Sequence, residues 1–405
     1  MSNIRILNAA VIVAALGYFV DIYDLLLFNI VRVESLRSIG YLGRELEVGA
    51  TLHNIQMTGL VIGGIVWGVL ADRKGRLSVL FGSIFIYSIA NFLNGYAANF
   101  TQYAICRFVA GFGLAGELGA GITLVAEVLP AHLRGYGTML VATIGVSGAV
   151  VGGLVAQVFD WRLCYKIGGA LGFGLLLLRI GVSESSVFQN VKNHNVSKGN
   201  IIKLIRNKDC FKRFMLCILS GVPIWFTIGI LVAYSPEFAK EFNILDPILT
   251  SKAIMYCYIG FVLGDFASGY LSQLIKSRNT AVKIFLAMNF FTVLLFLFMM
   301  NGSSAEKLYW MCCFLGLTGG YWAVVVTMSA EQFGTNVRGT VATTVPNFIR
   351  FAVVPMSLSF ITLKPYLGLV QSALIINLIV TGIAFVAVYA LKDSYGKDLN
   401  FVEYL

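Results

Sequence analysis

Four acids and two arginines of this 405-residue chain stand where the surrounding sequence is almost wholly apolar: Asp21, Asp24, Glu117, Asp265, Arg107 and Arg350. An ionisable side chain at the centre of a bilayer costs about 2.5–3.5 kcal/mol on insertion scales, so each should have a function and a partner. Asp21 and Asp24 are spaced i, i+3, which sets them on one helix face. Two carboxylates in a low-dielectric cavity repel each other, and such a pair is suited to loading and releasing a proton. Asp21 is the deeper of the two, and a second reading leaves Asp24 solvated at an outer helix end. Glu117, flanked by Gly116 and Gly119, reads as a proton carrier, a ligand-binding group or a hydrogen-bonded contact between helices. Arg107 precedes it by ten residues, about 15 Å of helix. From there Arg107 either neutralises a first-helix aspartate or snorkels to the outer face. Arg350 lies between Pro346 and Pro355, with Asn347 a turn before it, on a helix expected to be broken or kinked. A cation there is a partner for an anionic ligand, for Asp265 or for another acid. Asp265 itself is expected in a structural pairing near the inner face. Trp225, Phe226, Tyr321 and Trp322 are candidates to line a central cavity, although such aromatics also pack in cores or against lipid.

These residues need long helices to hold them. The chain is 58% apolar and only 12% charged, with a mean hydropathy of +0.81. A soluble domain carries about a quarter charged residues, so the bilayer must serve as solvent here. Spans of roughly twenty apolar residues fall near 7–30, 52–71, 77–97, 101–127, 136–158 and 163–182, and again near 213–236, 250–274, 281–300, 308–330, 340–362 and 367–390. The first is too long for a signal peptide. The expected fold is an all-α membrane protein of twelve transmembrane helices in two six-helix bundles, 1–182 and 211–405, joined by a polar connector over 183–210. The net charge of +10 sits mostly in short connectors and gives no sign of nucleic-acid binding. With the N-terminus inside, 18 lysines and arginines fall on the inner side and nine on the outer, which places both termini in the cytoplasm. Seven cysteines and three histidines form no metal-ligand spacing and no disulfide framework.

The halves echo each other. E-V-L-P-A-H-L-R-G (Glu127 to Gly135) recurs as E-Q-F-G-T-N-V-R-G (Glu331 to Gly339) 204 residues later. Gly63, Gly68 and Asp72 have counterparts in Gly264, Gly269 and Gln273 at an offset of 201. Parallel six-helix repeats about an axis along the membrane normal are a known transporter plan.

The segment G-V-L-A-D-R-K-G-R, Gly68 to Arg76, resembles the signature loop of the major facilitator superfamily. R-F-V-A-G-F-G-L-A-G-E-L-G-A-G (Arg107 to Gly121), followed by Glu127, Pro130, Arg134 and Gly135, is similar to the fourth helix of the metabolite:proton symporters, with Ala115 in place of a Gly. Tyr18 to Phe28, with Asp21 where Glu is usual, and Asp160 to Ala170 resemble further stretches of that branch. Val182 to Phe188 is similar to a motif shared with sugar porters, with Ser183 and Ser186 in place of its prolines. The resemblance implies proton coupling through Arg107 with Asp21, Asp24 and Glu117. A gate on the cytoplasmic face is expected from Gly68, Asp72, Arg73, Arg76, Glu127, Arg134, Glu331 and Arg338, where Glu127 with Arg134 and Glu331 with Arg338 join Asp72 and Arg76 in ion pairs between the halves that hold an outward-open state. Glu117, Trp225, Tyr321, Trp322, Asn347 and Arg350 are the expected ligand-contacting residues.

The function expected is proton-coupled uptake of a small polar metabolite, an organic acid, amino acid or similar compound, by alternating access in the inner membrane. Each charge crossing with the potential gains about 2.3 kcal/mol per 100 mV. No G-x-x-x-x-G-K-[ST] loop is present for ATP, so no cofactor is expected beyond the proton gradient. The expected partners are lipid and a small-molecule substrate, with the chain a monomer. A proton-driven exporter of amphipathic compounds is the alternative. Gly145 to Gly153 is glycine-rich there but lacks the proline of the exporters' fifth helix. A non-transporting membrane sensor is a third reading. No nucleophile, base and orienter come together in the motifs, so an enzyme is not expected.

Overall fold

In the computed structural model the described residues are 9–180, 199–399 and 401–403. The serine-for-proline motif at Val182 to Phe188 and most of the polar connector lie outside them. Among the described residues there is no strand, and twelve helices are long and apolar enough to cross a bilayer. They are α1 (Ala9–Ser38), α2 (Glu45–Lys74), α3 (Arg76–Asn94), α4 (Phe100–Val128), α5 (Leu133–Val158), α6 (Trp161–Leu178), α7 (Lys208–Val232), α8 (Thr250–Ile275), α9 (Arg278–Met299), α10 (Ala305–Glu331), α11 (Thr335–Leu367) and α12 (Leu369–Ala390). An even number of spans returns both chain ends to one face, called the terminal face below; the opposite one is the far face. The spans fall close to the expected ranges. The largest difference is at α1, which runs on to Ser38, so that Arg32 lies on a helix and not on a loop.

Two bundles, α1–α6 and α7–α12, meet along a seam where α2 packs on α11 and α5 on α8. Small residues set that geometry, as they do where lipid supplies no hydrophobic drive between helices. Within the first bundle a Cβ on Gly63 would meet the Phe112 carbonyl of α4, 2.9 Å from its carbon. Within the second, a Cβ on Gly264 would come 2.9 Å from the Leu317 carbonyl carbon of α10. At the seam a Cβ on Gly68 would reach the Thr340 Cα at 2.9 Å, and one on Gly269 the Met139 side chain at 2.6 Å. The offset of 201 residues seen in the sequence therefore relates equivalent packing contacts.

Several spans are broken at the level of the buried charges. α4 divides at Ala115–Gly116 just before Glu117, and α10 divides at Gly320–Tyr321. α7 ends in a π-helical turn, Thr227–Val232, one turn after Pro223. α11 divides at Ala352, two residues after Arg350 and not at Pro346. Irregular backbone at membrane depth is tolerated only where protein or a cavity surrounds it, and it often marks a functional site.

Replacing Gly63 or Gly264 by valine should force apart helices in backbone contact, at a cost of about 1–3 kcal/mol or more. The thermal midpoint in detergent should fall by several degrees for either variant. Gly174→Ala, where a Cβ would meet nothing within 4 Å, should leave it unchanged.

Candidate functional site

Asp21 of α1 and Arg350 of α11 face each other across the seam, with Arg350 Nη2 3.6 Å from Asp21 Oδ2, and both side chains are buried. That separation is an ion pair but not a hydrogen bond. Among the described residues both Asp21 oxygens, and Nε and Nη2 of Arg350, have no hydrogen-bond partner. Asn347 Oδ1 accepts from Arg350 Nη1 at 3.3 Å, while its Nδ2 donates across the seam to the Ala115 carbonyl at 3.0 Å, at the break in α4. The Trp322 ring lies 5.7 Å from the Arg350 guanidinium and donates from Nε1 to the Tyr18 hydroxyl of α1 at 2.9 Å. Trp225 packs edge-to-face on Trp322 at 6.5 Å. Arg350, Asn347, Trp322 and Trp225 thus gather around Asp21 at the centre of the seam. Tyr321 is buried at the α10 break, its hydroxyl without a hydrogen-bond partner.

The other expected charges are placed differently. Glu117 lies inside the first bundle, turned from the seam. Its Oε2 accepts from Arg179 Nη2 at 2.5 Å and its Oε1 from Ser83 Oγ at 2.7 Å. Arg179 also donates to the Leu80 carbonyl. A bidentate, fully buried pair of this kind is strong and geometrically specific, and it fits the helix-contact reading of Glu117 better than the ligand one. Arg107 donates to Asn91 Oδ1 at 2.5 Å and lies over the Tyr165 ring at 4.6 Å. Its charge acts on the buried carboxylate of Asp24 without forming an ion pair within 4 Å. Asp24 is therefore buried inside the first bundle and not at a solvated helix end. Among the described residues Asp265 forms no ion pair. Its Oδ1 accepts from the Ala323 amide at 3.0 Å, capping the second piece of α10 at that helix's positive end, while Oδ2 has no partner.

The terminal face is closed by a buried charge cluster in which the repeated motifs exchange partners. Glu127 Oε1 accepts from Arg338 of the other half at 3.1 Å and from Arg76 at 2.9 Å. Glu331 lies 3.9 Å from Arg134 of the other half and accepts from Arg278 at 3.2 Å. Each glutamate thus meets the motif arginine of the opposite half, not the neighbour it has in sequence. Asp72 accepts from the Gly339 and Thr340 amides at 2.9 and 2.8 Å, at the start of α11. Arg73 is exposed at the end of α2. The chain's last described residues complete the closure. Thr335 N donates to the Phe401 carbonyl at 2.8 Å, Arg338 Nη2 to that of Leu399 at 2.6 Å and Arg134 Nη1 to that of Lys397 at 3.2 Å.

On the far face the seam opens into a cavity of about 190 Å³ between the halves, with Trp225 in its wall. Three cluster residues were not singled out in the sequence. Arg179 closes a span, where a basic residue reads as an ordinary positive-inside charge. Asn91 is one polar residue in an apolar helix. Arg278 is recoverable, because it lies 202 residues after Arg76 and repeats its role. Among the described residues no group of three His, Cys, Asp or Glu side chains is placed to hold a metal.

The family profile of the major facilitator superfamily matches residues 14–354, and the chain belongs to that superfamily of membrane transporters. It is 26% identical to the niacin transporter NiaP of Acinetobacter baylyi, over 70% of this chain and 71% of that protein. It is 25% identical to the sialic acid transporter NanX of Escherichia coli, over 80% of each. It is 26% identical to the cis,cis-muconate transport protein of Acinetobacter baylyi, over 89% of each. The fold superposes on the proton:xylose symporter XylE with a TM-score of 0.70 at 16% identity, covering 97% of both chains.

Glu127→Gln strands two buried arginines, which should cost about 3–5 kcal/mol. Amide exchange over Thr335–Thr340 should accelerate accordingly, and adding Arg338→Met should restore part of the protection. Deleting residues 399–405 removes the backbone partners of Thr335 and Arg338. Exchange at the Thr335 amide should then rise about tenfold or more, with exchange in α9 unchanged.

Proposed function

We propose that this protein takes up a small organic acid together with protons by alternating access, Arg350 receiving the carboxylate and Asp21 the proton. The observation that carries the reading is the Asp21–Arg350 pair. It joins the two halves at 3.6 Å with most of its hydrogen-bonding capacity unfilled. An anion that reaches Arg350 competes with Asp21 for the guanidinium. Two carboxylates cannot share one buried cation without a cost in repulsion, so protonation of Asp21 relieves it. Binding of the anion and of the proton then favour each other, which is what symport requires. Niacin, sialic acid and muconate, the cargoes named for the relatives, all carry carboxylates. In this reading the terminal face lies in the cytoplasm and the chain in the inner membrane, and the lysine and arginine bias supports that orientation. The charge cluster on that face and the cavity on the far one then correspond to a state open to the outside. Rocking of the halves about the central site would break the Glu127–Arg338 and Glu331–Arg134 contacts and reverse the exposure.

The test uses proteoliposomes holding the purified chain and an internal pH dye, challenged with pools of organic acids, amino acids and sugars. An organic-acid pool should acidify the lumen. Asp21→Asn should abolish that signal, and Arg350→Gln should cut uptake of labelled nicotinate or benzoate about ten- to a hundredfold. Labelled anion accumulating with no proton movement would overturn the coupling.

A further inference from the structure

The far-face cavity has two unlike walls. Arg32 of α1 and His53 and Asn54 of α2 supply one; Trp225, Ile228 and Val353 of the second bundle supply much of the other. Arg32 is half-buried, and its Nε is enclosed with no hydrogen-bond partner, as is Nδ1 of His53. Among the described residues no carboxylate lies within ion-pair distance of Arg32. The acid whose field reaches it, Glu237, stands farther off. The arginine is held by packing instead. A Cβ on Gly49 would collide with its Cγ and Cδ, so the aliphatic stem lies along α2 at that glycine. A half-buried guanidinium with no carboxylate at ion-pair distance among the described residues gains from an arriving anion, and its planar fork of donors matches a carboxylate.

We propose that this cavity is a separate capture site for a compact organic anion, its carboxylate on Arg32 with His53 and Asn54 alongside, its apolar body against Trp225, Ile228 and Val353. At about 190 Å³ the cavity is smaller than the roughly 300–1,000 Å³ pockets of drug-sized ligands, which restricts the ligand to about the size of a substituted benzoate. The site is distinct from Arg350. Between them stand Trp225 and Trp322, packed edge-to-face at 6.5 Å, with Trp322 in turn against Arg350. An anion held at Arg32 is one aromatic pair away from the central charges, and parting of that pair admits it. The proposal rests on the organic-acid reading given above.

The experiment is equilibrium binding of labelled benzoate to the purified full-length chain carrying Arg350→Gln, which removes the central anion site, with unlabelled benzamide, the same shape without the charge, as competitor. In that background benzamide should compete poorly. Arg32→Gln should raise the benzoate Kd about ten- to a hundredfold while leaving the weak competition by benzamide unchanged. Arg32→Lys should recover part of the loss. Gly49→Ala, which displaces the arginine without removing its charge, should also weaken benzoate. Unchanged affinity for benzoate when Arg32→Gln is added to Arg350→Gln would overturn the capture site and leave proton-coupled uptake standing. Equal competition by benzamide would overturn anion recognition at the cavity. If benzoate and nicotinate fail to bind while sugar or amino-acid pools acidify proteoliposomes, the capture site is overturned together with the organic-acid class, but coupled transport stands.

Discussion

Glu127 sits between two arginines, Arg76 of its own half and Arg338 of the other, and none of the three side chains has exposed surface. A charge removed from water needs an opposite charge with good geometry, and losing one partner costs more than the pair contributes. Because the partner comes from the opposite bundle, neutralising these charges and closing the terminal face are one event. Glu331 repeats the arrangement with Arg278 and Arg134. In the proposed alternating access, water would replace the lost partners as the halves part, giving the cluster two acceptable environments and no good intermediate one. That is the bistability that rigid-body switching needs.

The centre of the molecule follows the same rule with one change. Glu117 and Arg179 satisfy each other inside one bundle, and nothing in their geometry asks the halves to move. Asp21 and Arg350 belong to different bundles and touch only loosely, with donor and acceptor sites to spare. Asp265 accepts a hydrogen bond from the start of a broken helix, and among the described residues its other oxygen has no partner. The Asp21–Arg350 pair is therefore the loosely satisfied contact between the bundles, in contrast to the Glu127–Arg338 contact at the terminal face. The helix breaks at Ala115, Gly320 and Ala352 occur at the same level, where the backbone leaves regular geometry only because protein surrounds it.

The spans and the duplication were legible because hydrocarbon imposes a length on helices and because glycines at backbone contacts tolerate no replacement. Gly63 and Gly264 carry that constraint in both halves. The isolated charges were equally visible, since an acid in an apolar run has few neighbours to hide among. Their partners were harder to read. Glu127 precedes Arg134 by seven residues, yet its arginine from that motif is the one 211 residues away, and only the packing of α11 on α2 decides this. Arg179 looks like any basic residue at a span end. The tail at Leu399 and Phe401 closes the terminal face through backbone carbonyls, which every residue type presents, so its side chains give no signal. Arg32 read as a loop cation because the helix was expected to stop before it.

The measurement that bears most directly on the Asp21–Arg350 competition is the number of protons exchanged when an organic anion binds. Titration calorimetry of nicotinate into the purified chain, repeated in buffers of different ionisation enthalpy, counts them. If the carboxylate displaces Asp21 from Arg350, the wild type takes up about one proton per bound anion near neutral pH, and Asp21→Asn takes up none. Binding with no proton uptake in the wild type, or with the same uptake in Asp21→Asn, would contradict the competition.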